Sequence, residues 1–207
     1  MQPLNVFFTQ HIVRIKAVIF ILCLIPFGNL IYGAFTDNLG ANPIETITRD
    51  VGTWTLRFLL ITLSVTPLRR LTSWNWLLRL RRMFGLYAFF YALLHFLTYI
   101  WLDQFFDWGE IVKDIIKRPF ITVGFSAFVL LLPLAITSTN AMVKRIGARR
   151  WQNLHRAVYV IAILGVVHYW WLVKLDILRP AIYAAILTML LGFRVLWREW
   201  EKRRPGA

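Results

Sequence analysis

Four histidines are the residues of this sequence whose type and spacing could carry chemistry. His95 lies within the apolar stretch FFYALLHFLTY, and His155 and His168 lie thirteen residues apart within WQNLHRAVYVIAILGVVHYWW. Because an α-helix rises about 1.5 Å per residue, the last two imidazoles would be roughly 20 Å apart along one helix, which is most of the thickness of a bilayer's hydrocarbon core. An ionisable or metal-binding side chain at such a depth is costly and is functional by default. His11 precedes the first apolar run at a polar edge, where a surface role is expected.

The histidines lie in apolar segments that are typical of membrane proteins. Of the 207 residues, 58% are hydrophobic, and they come in long blocks. The sequence therefore predicts an all-α fold, a polytopic membrane helical bundle that forms a single transmembrane domain over residues 1–207. Six transmembrane helices are predicted, at about 17–35, 52–67, 83–102, 120–137, 152–171 and 181–197.

The segments around these spans have their own patterns. The first run has a basic start like a signal peptide, but it is longer than a signal h-region and lacks a convincing cleavage site, so it is predicted to be a retained span. Residues 36–50 are rich in turn-formers and are predicted to be a loop. The second span contains Arg57, which is predicted to extend toward the near interface. Residues 103–119 combine acidic and apolar side chains at a spacing that predicts a short amphipathic helix at the interface.

The basic residues are strongly biased toward one side of the predicted bundle. The N-terminus, residues 68–82, residues 138–156 and the segment from Arg194 together carry seventeen Lys or Arg and two acidic residues. The other loops carry seven basic and eight acidic residues. By the positive-inside rule, this places both termini in the cytoplasm. Orientation and anionic headgroups thereby explain the net charge of +14, and no nucleic-acid partner is predicted.

The single cysteine, Cys23, limits the possible cofactors. One cysteine cannot form an internal disulfide, and no CxxCH motif is present to attach heme covalently. Iron–sulfur clusters and cysteine-based zinc sites are excluded for the same reason. Any heme must therefore be non-covalent, held by axial ligands and packing.

Three histidines can be compared by their depth in the membrane. Counted from the cytoplasmic ends of their spans, His95 lies about twelve residues in, His168 about seventeen and His155 about four. Facing histidines at matched depth are what a bis-histidine heme site in a helical bundle requires. We predict that His95 and His168 ligate a heme iron toward the outer side, and that His155, a third candidate iron ligand, lacks a histidine partner toward the inner side.

Arg81 is the candidate partner of His155. It precedes His95 by fourteen residues, which is nearly four helical turns, so the two side chains share a face. Arg81 could be an unusual ligand, or it could bind a heme propionate through charge-assisted hydrogen bonds. We favour a third alternative, in which Arg81 only helps to set the orientation of the bundle.

The fifth span contains a geometric conflict. Thirteen residues turn a straight helix by about 220°, so His155 and His168 would lie on different stripes of it. A bend near Gly165, or different angles of approach to the iron, would accommodate both.

Several stretches of the chain resemble the MsrQ (YedZ) family of the ferric-reductase-like transmembrane superfamily. They are RRMFGLYAFFYALLHFLTY, RWQNLHRAVYVIAILGVVHYWW, AITSTNAM, LGANPIE, ITLSVTPLRR and IKRPFITVG, and the likeness runs nearly the whole length. Members of that superfamily, which includes the membrane part of NADPH oxidases, typically pair two histidines on span three with two on span five, at the same thirteen-residue spacing. Arg81 stands where that pattern has the inner histidine of span three.

The resemblance implies a heme b protein, with one or two hemes, that crosses the bacterial inner membrane several times. It implies that electrons from the quinone pool or a cytosolic flavin reductase pass to MsrP, a periplasmic molybdopterin enzyme that reduces methionine sulfoxide in oxidised proteins. The chain would be an electron-transfer subunit rather than the catalytic one. The family is also associated with FMN, although the sequence has no GxGxxG or other nucleotide fingerprint. The acidic segment 103–119 could dock the partner or could simply cover the bundle.

Other functions remain open at this point. A histidine-based proton or ion transporter also places histidines within spans, but it predicts carboxylates there, and none lies in the six predicted spans. A stand-alone transmembrane ferric reductase would use the same histidines without a periplasmic enzyme.

Overall fold

The protein consists of helices joined by short turns. The computed structural model describes residues 2–173 and 175–203, with side chains from Asn5 onward, so Lys174 and Arg204, which the charge count includes, lie outside it. None of the described residues lies in a strand, and the all-α fold is confirmed. A 3-10 turn, Asn75–Leu77, leads into α4, and a π-helical turn, Tyr99–Asp103, continues it. The α-helices are α1 Gln2–Gln10, α2 Ile12–Phe35, α3 Pro43–Thr72, α4 Leu78–Thr98, α5 Trp108–Lys117, α6 Pro119–Ile136, α7 Asn140–Ile146, α8 Ala148–His155, α9 Ala157–Leu172 and α10 Leu178–Arg203.

Five helical segments in the described part are long and apolar enough to cross a membrane, which is the pattern of a polytopic membrane bundle. They correspond to predicted spans one, two, three, four and six. The fifth predicted span is divided between α8 and α9, because the helix is interrupted at Arg156. Helix α9 has 16 residues, a length of about 24 Å, against about 30 Å of hydrocarbon. The count of six spans and the cytoplasmic placement of both termini therefore stay predictions.

Helix α3 begins well before the predicted second span. Its first eight residues, 43–50, were expected to be loop, but Asn42 caps the helix by accepting a hydrogen bond from the backbone N–H of Glu45 at 3.2 Å. Pro43 follows the cap, at a position where its missing N–H costs nothing. The helix ends at Ser73, which adopts a left-handed conformation. The cap thus adds two helical turns to the apolar run.

The polar segments between spans are also more helical than expected. Residues 138–150, between the fourth and fifth predicted spans, form α7 and the start of α8 instead of a loop, and Thr139 caps α7 through the backbone N–H of Met142. The short helix predicted within 103–119 is α5, which Asp107 caps.

Two helix pairs build the centre of the bundle. Helix α3 packs along α4, and α6 packs along α9. The two pairs also contact each other, through α4 with α6 and α3 with α9. Helix α2 covers the α3–α4 side and α10 covers the α3–α9 side. Since His95 is on α4 and His168 is on α9, this arrangement brings the two histidine-bearing helices into one four-helix core.

Tyr91 ties α2 to this core. Its side chain is fully buried, and its hydroxyl donates to the carbonyl of Cys23 at 2.8 Å and accepts from the backbone N–H of Phe27 at 3.3 Å. These two backbone groups lie on the turn of α2 that contains Pro26, whose missing N–H removes one bond from the helix. The tyrosine hydroxyl thus adds hydrogen bonds at the turn that the proline weakens.

Candidate functional site

His95 and His168 lie close together between α4 and α9. Their ring centroids are 6.1 Å apart, and the ring planes are inclined at 72°. Two imidazoles that bind one metal ion from opposite sides, through metal–nitrogen bonds of about 2 Å, have ring centres roughly 6 Å apart. The spacing therefore fits two axial ligands of one metal ion.

A backbone carbonyl holds each of these rings in the same way. The Nδ1 atom of His95 lies 2.9 Å from the carbonyl oxygen of Thr48, and that of His168 lies 2.7 Å from the carbonyl oxygen of Phe120. A carbonyl oxygen only accepts, so Nδ1 is the protonated nitrogen in both rings. The Nε2 atoms keep their lone pairs, which is the tautomer that a metal ligand needs.

Two glycines make room for the rings. A Cβ atom on Gly52 would lie 3.0 Å from the ring of His95, and one on Gly124 would lie 2.7 Å from the ring of His168. Each glycine follows its ring's carbonyl partner by four residues, so it lies one turn further along α3 or α6. The α3–α4 and α6–α9 pairs therefore hold their histidines in equivalent ways.

Both histidines line a cavity of about 740 Å³. That volume lies within the range of roughly 300–1,000 Å³ that is typical of cofactor and ligand sites. Exposed charged side chains, those of Asp103, Asp176 and Arg179, lie at one end. The other end is closed by apolar residues: Leu56, Leu59, Ala92, Ala127, Leu131 and Ile161. The site therefore combines two imidazoles held through Nδ1, an apolar end and a charged mouth, a set of features that suits an iron porphyrin.

Arg57 lines the same cavity, and its predicted extension toward the membrane interface stays a prediction. Its Nε atom donates to the hydroxyl of Tyr183 at 3.1 Å, and its guanidinium carbon lies 4.4 Å from the centre of the Trp54 ring. It forms no ion pair with any described carboxylate, and its terminal nitrogens have no hydrogen-bond partner in the described part of the chain. A half-buried guanidinium with free N–H groups is suited to bind a carboxylate.

Asp50 corrects one expectation from the sequence. Because α3 begins at Pro43, Asp50 lies within a helix that is long and apolar enough to cross a membrane, and it lines the cavity. The absence of carboxylates from the spans therefore no longer argues against a transporter, and that alternative has to be judged on the histidine geometry instead.

His155 lies outside the lining of this cavity, at the end of α8. Its ring stacks on Trp151 with centroids 3.8 Å apart, and its Nε2 atom lies 3.1 Å from the hydroxyl oxygen of Thr137. That hydroxyl donates its own hydrogen to the carbonyl of Pro133 at 2.6 Å, so Nε2 of His155 carries a proton and donates. The tautomer of His155 is thus opposite to that of His95 and His168.

The remaining candidates lie away from the paired rings. The charges of Arg81 and Arg82 lie close enough to act on His155, so Arg81 is near that ring but is not bonded to it. His11 contacts the carbonyl of its own helix at Phe7 and does not line the cavity.

The helix that carries both histidines is interrupted at Arg156 and not at Gly165. Gly165 lies inside α9, where a Cβ atom would be in ordinary contact with Leu56 at 3.6 Å. On the other side of the interruption, Trp151 and His155 of α8 both contact Thr137 at the end of α6. His155 therefore faces Thr137 and Trp151 rather than the cavity that His168 lines.

Gly52 and Gly124 are site residues that no motif in the sequence predicted. Each is a single glycine in a helix, where glycine costs roughly 0.5–1 kcal/mol relative to alanine. Such positions often mark a close approach by another group. A glycine inside a helix was therefore the available sign of a close contact. Only the structure shows that the contacting groups are the rings of His95 and His168.

Comparisons with known proteins agree with this geometry. A family model described as "Ferric reductase like transmembrane component" matches residues 51–166. A protein of Herminiimonas arsenicoxydans is 63% identical over 91% of this chain and 87% of its own length. Proteins of Azospira oryzae and Ralstonia nicotianae are 60% and 56% identical, over 91% and 93% of this chain and 82% and 89% of their own lengths. All three are named protein-methionine-sulfoxide reductase heme-binding subunit MsrQ. The chain therefore belongs to the MsrQ family of ferric-reductase-like transmembrane proteins.

Proposed function

We propose that this chain is the heme-binding membrane subunit of a protein-methionine-sulfoxide reductase and that it carries electrons across the membrane to a catalytic partner. The observation that supports this most directly is the pair of His95 and His168. Their rings are 6.1 Å apart beside a cavity of about 740 Å³, and a backbone carbonyl holds each ring with its Nε2 lone pair free. The names of the relatives supply the reductase system.

Heme b bound at this site would supply reversible one-electron chemistry at its iron. The Nε2 atoms of His95 and His168 would hold its iron. The carbonyls of Thr48 and Phe120 fix the tautomer and restrain ring rotation, which raises the basicity of the ligands. Arg57 would bind a carboxylate of the cofactor through its unpartnered terminal nitrogens. The apolar residues at the closed end of the cavity keep water away from the iron.

We propose one heme rather than two. His155 uses Nε2 to donate to Thr137, is covered by Trp151, and has Arg81 rather than a histidine nearby. None of these features suits a second axial pair. Reduced pyridine hemochrome assays should therefore give one heme per chain, both in the wild type and in His155→Ala. A ratio near two that falls by half in His155→Ala would overturn this part of the proposal.

The proposed direction of electron flow follows from the predicted orientation. The cavity mouth lies at the end of the bundle that carries the loop before α3, and the charge bias predicts that this end faces the periplasm. Electrons would enter from the quinone pool or a cytosolic flavin reductase and leave to a periplasmic MsrP-type molybdopterin enzyme, in a bacterial inner membrane. FMN remains an expectation from the family resemblance.

The decisive experiment is the visible spectrum of the full chain, purified from cells supplied with a porphyrin precursor. We expect a Soret band that shifts on reduction by dithionite, and that is lost in His95→Ala and in His168→Ala. His11→Ala is the matched control and should keep the band. A colourless wild-type protein would favour the transporter instead.

A second assay separates an MsrP donor from a stand-alone ferric reductase. The dithionite-reduced protein, freed of excess reductant, is mixed either with purified MsrP plus methionine sulfoxide or with a ferric chelate. We expect the reduced protein to be reoxidised rapidly by MsrP with methionine sulfoxide. If only the ferric chelate reoxidises it, the protein is a ferric reductase instead.

A further inference from the structure

Asp50 is a half-buried carboxylate that no described side chain pairs with. Three carboxylates in the described part of the chain line the cavity, and the other two, Asp103 and Asp176, are exposed. The side chain of Asp50 forms no hydrogen bond or ion pair with any described residue. A carboxylate that is withdrawn from water without a partner is costly, and within a helix of membrane-spanning length it is functional by default.

Asp50 lies on the turn of α3 that holds the ring of His95. Thr48, two residues before it, presents the carbonyl that accepts from Nδ1 of His95, and Gly52, two residues after it, abuts the same ring. The carboxylate itself is not hydrogen-bonded to either histidine of the pair. Asp50 is therefore part of the cavity wall beside the paired rings without being one of the groups that hold them.

The other charges around the cavity leave Asp50 uncompensated. Arg57 lies two helical turns away, about 10 Å along α3, and donates to Tyr183 instead. Apart from Arg57, the aspartates and the paired histidines, the charged or titratable side chains that line the cavity are Arg49, Tyr99, Arg118, Tyr169 and Arg179. The three arginines of this set are exposed, so solvent screens them, and tyrosine is uncharged at neutral pH.

Polar groups connect Asp50 to the mouth of the cavity. Thr46 and Thr48 line the cavity on the side of α3 where the mouth lies. The hydroxyl oxygen of Thr48 is buried and has no partner in the described part of the chain. A buried hydroxyl without a protein partner suits an ordered water molecule. Hydroxyl groups and water therefore offer a path for protons between the solvent at the mouth and Asp50.

We propose that Asp50 is a proton-binding site that is coupled to reduction of the heme, an inference that rests on the proposed function. An electron that enters a site of low dielectric constant adds negative charge near an unpaired carboxylate, and like charges repel strongly there. Asp50 relieves this repulsion by taking one proton from water at the mouth, and it returns the proton when the electron leaves. The electron comes from the quinol or reduced flavin of the proposed function. One electron and one proton enter together, the carboxylate becomes a neutral carboxyl group, and the net charge of the site is unchanged.

The first test measures the midpoint potential of the full-length protein by visible absorbance, at a series of pH values from mildly acidic to mildly basic. Because a proton is bound on reduction, the wild-type midpoint should fall as the pH rises. The slope should be at most about 59 mV per pH unit, which corresponds to a tenfold change in proton concentration for one electron.

The variants assign this slope to a residue. Asp50→Asn removes the titrating group with little change of shape and should flatten the dependence on pH, whereas Asp50→Glu should keep it. Asp103→Asn is the matched control, because Asp103 lines the same cavity but is exposed, and it should keep the wild-type slope.

The infrared difference spectrum between the reduced and oxidised protein is a second readout. The C=O stretching band of a protonated carboxyl group should appear when wild type is reduced, and its frequency should shift in Asp50→Glu. This assignment holds even if Asp50→Asn does not bind heme.

Two kinds of failure can be told apart. The proposal for Asp50 is overturned if the wild-type midpoint does not depend on pH, if Asp50→Asn keeps the dependence, or if the infrared band is unshifted in Asp50→Glu. A cofactor carboxylate would then be the group that takes up any proton. A wild-type protein without a Soret band would refute the proposed heme, and with it the proposed function.

Discussion

Gly124 decides whether His168 can reach its observed position. In Gly124→Ala, the new Cβ atom would lie 2.7 Å from Nδ1 of His168, which is closer than real contacts allow. The ring must move away from the carbonyl of Phe120, so we expect a clear loss of bound heme, measured as the ratio of Soret to protein absorbance. Gly28→Ala is the control, because no atom lies within 4 Å of its Cβ position. Full heme occupancy in Gly124→Ala would contradict the proposed role of His168.

The positive charge of Arg57 should raise the midpoint potential of the iron. In Arg57→Gln, the loss of a positive charge beside the cofactor disfavours the extra electron, so the midpoint potential should fall by an amount on the order of tens of millivolts, where about 59 mV is a tenfold change for one electron. Arg49→Gln is the matched control, since Arg49 also lines the cavity but is 69% exposed and already paired with Glu45. Redox titration of both variants by visible absorbance measures the difference. Equal shifts would mean that Arg57 has no special contact.

Near Pro26, the hydroxyl of Tyr91 forms the hydrogen bonds that join helix α2 to the core. In Tyr91→Phe, the carbonyl of Cys23 and the N–H of Phe27 lose their shared partner inside the core. A buried hydrogen-bonding group that is left unpaired costs about 1–3 kcal/mol of stability. A hydrogen bond between two membrane helices contributes about 0.6 kcal/mol on average. We therefore expect a lower unfolding midpoint in detergent with the Soret band retained. Tyr32→Phe alters a side chain that is 69% exposed and should leave the midpoint unchanged.

For the molecule as a whole, the open question is whether α9 completes a sixth span. Single cysteines can be placed at Ala41, Ala148 and Leu175, all exposed, in a chain whose only native cysteine, Cys23, is buried. With six spans, an impermeant maleimide added to intact spheroplasts should label the cysteines at 41 and 175. The cysteine at 148 should react only after permeabilisation. If α9 does not cross, the cysteines at 148 and 175 will react alike.

The sequence alone determined that the chain is a helical membrane protein, and it placed His95 and His168 on separate apolar segments. These features depend on the hydrophobicity and charge of short stretches of the chain, because long apolar stretches partition into the bilayer and basic loops stay on the cytoplasmic side. The structure places the two rings together, in agreement with the depth count, although their role as iron ligands remains a proposal. Helix boundaries were less predictable at α3, where the Asn42 cap outweighed the turn-formers that precede it.

Only the tertiary structure decided how the histidines are held. Thr48 and His95 are 47 residues apart in the chain, Phe120 and His168 are 48 apart, and no local pattern links the members of either pair. The same is true of Arg194, which bonds a carbonyl 131 residues away that Pro67 had left unpaired. Hydrogen bonds and contacts between helices depend on how the helices pack in three dimensions, whereas periodicity and composition describe each helix by itself.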